Sequence, residues 1–177
     1  MPQANRLSLP SLPAKQQAEN KALWNGTRPL SEANFFTLGY TGRPTPEIIA
    51  TLLDHGVQTL VDIRQNAISM YRPELSKSNL ARLLESHGLN YAHLPQLGVP
   101  RDIRAKAIKS GTREVIWNWY DEHVIEEFFG ADRNLHFFLN CVEHPVALMC
   151  TEIAPQECHR HRLALALESM GMSGFDL

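Results

Sequence analysis

Val146-Ala147-Leu148-Met149-Cys150-Thr151-Glu152, followed by Pro155-Gln156-Glu157-Cys158-His159-Arg160, decides the fold. The apolar run from Val146 reads as a buried strand. Pro155 with the two polar residues after it reads as the first turn of a helix. Two thiols, a carboxylate, an imidazole and a guanidinium therefore sit on a strand-to-helix turn, where α/β proteins usually hold their ligands.

The same alternation extends in both directions. Phe35 to Leu38 reads as a strand ending at Gly39. Thr45-Pro46-Glu47 opens a helix, with Thr45 as N-cap, an apolar face of Ile48, Ile49, Leu52 and Leu53, and Gly56 as its stop. Thr59 to Val61 is the next strand, and Asp62-Ile63-Arg64 marks its end. Ser76 or Ser78 caps a helix carrying Leu80, Leu83 and Leu84, stopped by Gly88. Leu89 to Leu94 is a third strand. Arg101 to Phe129 is helical with an interruption near Gly111, and Asn134 to Val142 is a further helix in which Cys141 packs. The order β-α-β-α-β-α-α-β-α predicts a single α/β domain over residues 34–177. Its sheet is mostly parallel, four-stranded or slightly larger, flanked by helices in a three-layer α/β/α arrangement.

Residues 1–33 read as a flexible arm, with Pro2, Pro10, Pro13 and Pro29 among Ser, Gln and Asn and a short helix around Lys15 to Trp24. Trp24, its one large apolar residue, is expected to pack on the domain's own surface. The 177 residues are 44% hydrophobic and 20% charged, which fits an ordinary globular chain. A formal charge of −2 gives no bulk electrostatic case for nucleic acid or an anionic membrane. Three cysteines without a signal-peptide pattern point to a reducing, cytoplasmic location. No apolar run approaches the roughly 20 residues of a spanning helix. Nothing in the residues supports a homo-oligomer, and no cofactor is assigned.

In a parallel sheet the carboxyl ends of the strands share one edge. Tyr40, Asp62 with Arg64, His93, and Cys150 with Glu152 are expected to converge there. Cys150, Glu152 and Cys158 are the candidate catalytic groups: thiols at a helix N-terminus and a carboxylate for proton transfer. Tyr40, Asp62, Arg64, Ser69, His93, His159 and Arg160 are the candidate ligand-binding set, with the arginines as anion forks. A metal is not assigned. There is no Cys-x-x-Cys pair, and neighbours such as Cys158 and His159 point about 100° apart on a helix. Gly39-Tyr40-Thr41-Gly42 matches neither the dinucleotide fingerprint nor the P-loop. The strand–Cys–loop–helix order resembles rhodaneses and cysteine phosphatases, but their arginine comes sooner. Gln156 stands there, and Arg160 arrives too late.

Thr37-Leu38-Gly39-Tyr40, Leu60-Val61-Asp62-Ile63-Arg64, Tyr91-Ala92-His93-Leu94 with Leu97-Gly98, and Cys150-x-Glu152 with Cys158-His159-Arg160 together resemble domain-of-unknown-function family 488 over about residues 37–171. After the strand-end arginine the resemblance implies Asn-Pro-x-Ser-Arg, whereas this chain has Asn66-Ala67-Ile68-Ser69-Met70. Arg72 would have to stand in for the missing arginine. The resemblance implies the fold and a functional pocket and names no substrate. Two functions are consistent with these residues. One is a polar cleft that binds an anionic ligand, a nucleotide or nucleic-acid fragment, and acts on it through Cys150 or Glu152. The other is a non-enzymatic nucleic-acid- or protein-interaction module with a structural Cys/His/Arg turn, presenting Arg101, Arg104, Lys106 and Lys109 with Trp117, Trp119 and Tyr120.

Overall fold

Five strands form one sheet in the spatial order Asn90–His93, Thr59–Asp62, Val146–Cys150, Phe35–Gly39, Gly174–Asp176, with every neighbouring pair parallel. The computed structural model describes residues 24–25, 29–129 and 141–177. Residues 1–23 and 26–28 of the arm and most of the helix expected at Asn134 to Val142 lie outside them. The described elements are β1 (Phe35–Gly39), α1 (Thr45–Asp54), β2 (Thr59–Asp62), α2 (Lys77–Glu85), β3 (Asn90–His93), α3 (Arg101–Ser110) and α4 (Glu114–Tyr120). A π-helical turn (Asp121–Ile125), α5 (Glu126–Phe129), β4 (Val146–Cys150), α6 (His159–Ser169) and β5 (Gly174–Asp176) complete the order.

β4 is buried along its whole length, as expected for a central strand covered on both faces. Its alternate side chains divide between two cores. Val146, Leu148 and Cys150 pack with Ile103 and Ala107 of α3, Ile116 and Tyr120 of α4, and Leu163 and Leu167 of α6. Ala147 and Met149 pack with Ile48 and Leu52 of α1 and Leu80 and Leu84 of α2. The sheet thus separates two helical layers. Shifting β4 by one residue would exchange its two faces, so the apolar pattern pins the register.

That arrangement places β4 at a topological switch. Its neighbours β1 and β2 are each followed by a helix on one face, whereas the helix after β4 lies on the other. A crevice opens at the carboxyl ends of strands whose connections part in this way.

Several local expectations change. β5 was not anticipated; it pairs with β1 from Phe35↔Gly174 to Thr37↔Asp176. Thr45 starts α1 but does not cap it: its hydroxyl donates to Glu74 and accepts from Arg72. Leu53, expected on the apolar face of α1, is exposed. Cys141 lies exposed in a turn instead of packing within a helix. Gly111 does end α3, in the left-handed conformation at φ +71°. Trp24 packs against the α6 face, its ring edge-on to His161 with centroids 5.3 Å apart.

The largest revision concerns the segment after β4. Pro155–Glu157 forms its own 3₁₀ turn, and α6 begins only at His159. Cys158 between them is extended, at φ −120° and ψ 143°, and occupies the N-cap position. No helix of the described residues is long and apolar enough to cross a membrane.

Candidate functional site

Two polar clusters occupy the sheet's carboxyl edge. At the end of β2, Asp62 is fully buried and accepts four hydrogen bonds. Arg64 supplies its backbone N–H at 3.1 Å, Nε at 2.8 Å and Nη2 at 2.6 Å, and the Tyr91 hydroxyl donates at 2.8 Å. A carboxylate offers about four acceptor sites, so Asp62 is saturated. Arg64 also donates through Nη2 to the Leu75 carbonyl at 2.8 Å and reaches the Tyr40 hydroxyl through Nη1 at 3.5 Å. The Tyr40 ring lies under the guanidinium, 5.2 Å from it. Burial opposes the charge on Arg64, but Asp62 outweighs it and holds the guanidinium more firmly protonated than usual. Burial and then Asp62 raise the Tyr91 phenol.

At the end of β4 the groups are close but loosely joined. Cys150 Sγ lies 3.7 Å from Glu152 Oε2 and 3.8 Å from both ring nitrogens of His159. Cys158 Sγ lies 3.9 Å from His159 Nδ1, and Nε2 faces the Ile63 carbonyl at 3.4 Å. Both thiols and the imidazole are buried. Burial, reinforced by Cys150, pushes the Cys158 thiol up to about 12. For His159 burial disfavours the charged ring, yet Cys158 and Glu152 outweigh it and the pKa is raised. Burial and then Cys158 push the Glu152 carboxyl up to about 7. With 33% of that side chain exposed, water in the cleft offsets part of the rise.

Cys150, Glu152 and His159 form the floor of a cavity of about 30 Å³, room for about two waters. Its wall combines Cys150, Glu152 and His159 with Arg64, Arg104, Arg113, Gln65 and Trp117. Arg113 anchors on the Glu157 carbonyl through Nη1 at 2.7 Å and stands 4.0 Å from the Glu152 carboxylate. Arg104 is exposed and makes no side-chain hydrogen bond among the described residues. Three cationic side chains thus surround one small opening that faces a thiol and a carboxyl group.

The candidate residues distribute unevenly around that opening. Arg64, Cys150, Glu152 and His159 line it, and Cys158 supports it from beneath. Asp62 and Tyr40 stand behind Arg64. His93 binds the Arg64 carbonyl through Nε2 at 2.8 Å and does not line the cavity. Ser69 accepts from the Arg72 N–H at 3.1 Å, and its own N–H donates to Ser76, so it shapes the loop after β2. Arg72 is held by Glu74, the Tyr40 carbonyl and Thr45, so its guanidinium is spent on the loop.

Arg160 also lies outside the cavity wall. It is fully buried and donates to the carbonyls of Glu152 and Ile153 and to the Asp176 carboxylate on β5. It fixes the cleft's backbone and has no face toward a ligand. The sequence reading missed Arg113 and placed Arg104 only on an interaction surface. Both arrive from α3 and the start of α4 through packing across the sheet, and their spacing carries no signal. Tyr120, assigned to that same surface, is buried and donates to the Leu97 carbonyl. Trp119 stacks on His123, and Trp117 lines the cleft.

Two glycines make the edge this tight. A Cβ on Gly39 would overlap the Glu152 carbonyl, and one on Gly98 would overlap the Gln65 backbone. Both are close-approach positions at the cleft wall.

Residues 45–167 match the family model described as Domain of unknown function DUF488, and the chain belongs to that family. Comparison with curated proteins and with solved structures gave no match.

Proposed function

We propose that the cleft binds the anionic end of a small ligand and that Cys150 and Glu152 are the groups that meet it. The observation carrying this reading is the placement of Arg104 and Arg113 around a cavity floored by Cys150, Glu152 and His159. Arginine forks suit phosphate and carboxylate oxygens, and the Arg104 guanidinium, which makes no side-chain hydrogen bond among the described residues, is available to such a ligand. The cavity admits only a small group, so a nucleotide or nucleic-acid fragment would present a terminal phosphate and leave its base and sugar outside. Trp117 at the wall offers a flat apolar surface to what remains outside. Arg64 contributes the N–H that Asp62, Leu75 and Tyr40 leave unused, serving as a fixed positive wall. The reading is of a cytoplasmic protein whose cysteines stay reduced.

Calorimetric titration with phosphate, a nucleoside monophosphate and a short single-stranded oligonucleotide, each at low and moderate salt, tests it. Saturable, salt-sensitive binding of at least one of them is expected, weakened about tenfold or more in Arg113→Ala, which is about 1.4 kcal/mol. No binding of any of the three at low salt would overturn the reading.

A further inference from the structure

We propose that Cys150, Cys158 and His159 form a binding site for a thiophilic divalent cation, Zn²⁺ by the chemistry of its donors. Sequence spacing argues against joint ligation by Cys158 and His159 only if both lie on a helix. They do not: Cys158 is extended at the N-cap, and only His159 belongs to α6. Its extended backbone frees Cys158 from helical side-chain spacing, so that its thiol, the His159 ring nitrogen and the Cys150 thiol at the end of β4 lie within 4.8 Å of one another.

The distances fit a metal. Zn–S bonds of about 2.3 Å and Zn–N bonds of about 2.0 Å at tetrahedral angles require S···N separations of roughly 3.5 Å and an S···S separation of roughly 3.8 Å. Nδ1 of His159 lies 3.8 Å from Cys150 Sγ and 3.9 Å from Cys158 Sγ, and the three donor atoms all fall within 4.8 Å of one another. Closing around a cation shortens the two S···N separations by about 0.3–0.4 Å and the S···S separation by at most about 1 Å, in side chains already in place.

The imidazole is also tethered on one side. Nε2 faces the Ile63 carbonyl, and an N–H donated there leaves Nδ1 as the lone-pair nitrogen, 3.8 Å from Cys150 Sγ and 3.9 Å from Cys158 Sγ. Cys150 Sγ stands equally far from Nε2, so a bound ion would require the ring to turn toward it. A ring N–H held by a backbone carbonyl is the usual outer support of a ligating histidine. Three protein donors leave a fourth position, and the pattern of three ligands with one open site is that of catalytic zinc. Cys150 and His159 line the cavity, so the open position faces the cleft beside Glu152, whose Oε2 is 3.7 Å from Cys150 Sγ. An anion held by Arg104 and Arg113 would approach the metal there. The site deepens the cleft reading in that respect, while its own evidence is the donor geometry.

The test is elemental analysis of untagged protein purified under reducing conditions, followed by chelation and Co²⁺ reconstitution. Stoichiometric metal, or a thiolate-to-cobalt charge-transfer band after reconstitution, is the expected result. The band should vanish in Cys150→Ser and Cys158→Ser and persist in Cys141→Ser. His159→Ala should weaken metal binding by more than the about 10–100-fold typical of losing an outer-shell partner. Should the serine variants fail to fold, the wild-type chain still decides the matter: added Zn²⁺ must protect Cys150 and Cys158 from alkylation, and chelator must reverse it. A folded wild-type chain that neither carries metal nor shows the band or the protection overturns the proposal. The Arg104→Ala/Arg113→Ala variant separates the two readings, because it should keep the band while losing the anion. A band without anion binding in wild type sinks only the cleft reading.

Discussion

The Asp62–Arg64 cluster and the Cys150–His159 cluster lie side by side at the carboxyl ends of β2 and β4, and they differ in how completely their polar groups are satisfied. Asp62 fills its acceptor sites with Arg64 and Tyr91, and Arg64 has almost every donor engaged. Around Cys150 the contacts are 3.7–3.8 Å sulfur contacts that hold nothing firmly. Such contacts contribute little to stability but leave the donor atoms available to a ligand. The first cluster builds the edge of the sheet, and the second is free to act at it. Charge and sequence position alone do not distinguish the two; the count of engaged donors and acceptors does.

Asp62→Ala should give the largest loss of stability. It strands a buried guanidinium, and breaking one side of such a pair costs about 3–5 kcal/mol. Chemical denaturation measures this, and a loss under about 1 kcal/mol would mean that the β2 cluster is not the structural one. Arg160→Lys comes next, since a lysine cannot hold two loop carbonyls and Asp176 together. The expected loss is about 2–3 kcal/mol, read in the same way. An unchanged midpoint would return Arg160 to the ligand-binding side of the comparison.

Tyr91→Phe removes one hydrogen bond to a charged acceptor and should cost about 1.5–3 kcal/mol, with anion affinity unaffected. In contrast, Arg104→Ala should move stability by no more than about 0.5 kcal/mol, because the side chain is exposed and makes no side-chain hydrogen bond among the described residues. Its effect should appear in anion binding instead. A variant at the β4 opening that destabilises as strongly as Asp62→Ala would erase the distinction.

The strands and helices were legible because their signals are local. β4 is a continuous apolar run, α1 and α2 carry apolar residues at helical spacing, and Gly111 stops α3 where a left-handed residue was needed. The convergence of Asp62, Arg64, Cys150 and Glu152 followed from parallel strands sharing one edge. β5 escaped because three residues, one of them Gly174 beneath the Phe35 ring, carry no periodicity. Its strand character comes from pairing with β1 and from Arg160 gripping Asp176.

The engagement of Arg64 and Arg160 within the protein was equally hidden, since a sequence shows donors but not their partners. Arg113 reached the cleft through the packing of α4 over the sheet. Cys158 was misplaced by reading Pro155 as the start of a helix that begins four residues later, at His159. That small shift of boundary is what turns two neighbours apparently pointing apart into two donors facing one point.

The most direct test of the open cluster is the alkylation of Cys150 by a charged and a neutral reagent. On chelator-stripped protein, the iodoacetate-to-iodoacetamide rate ratio at each cysteine is read by mass spectrometry, with exposed Cys141 as the internal reference. The arginine-lined opening predicts a higher ratio at Cys150 than at Cys141, and loss of that excess in Arg104→Ala/Arg113→Ala. Equal ratios in the wild-type protein, or a Cys150 that neither reagent reaches, would contradict the account.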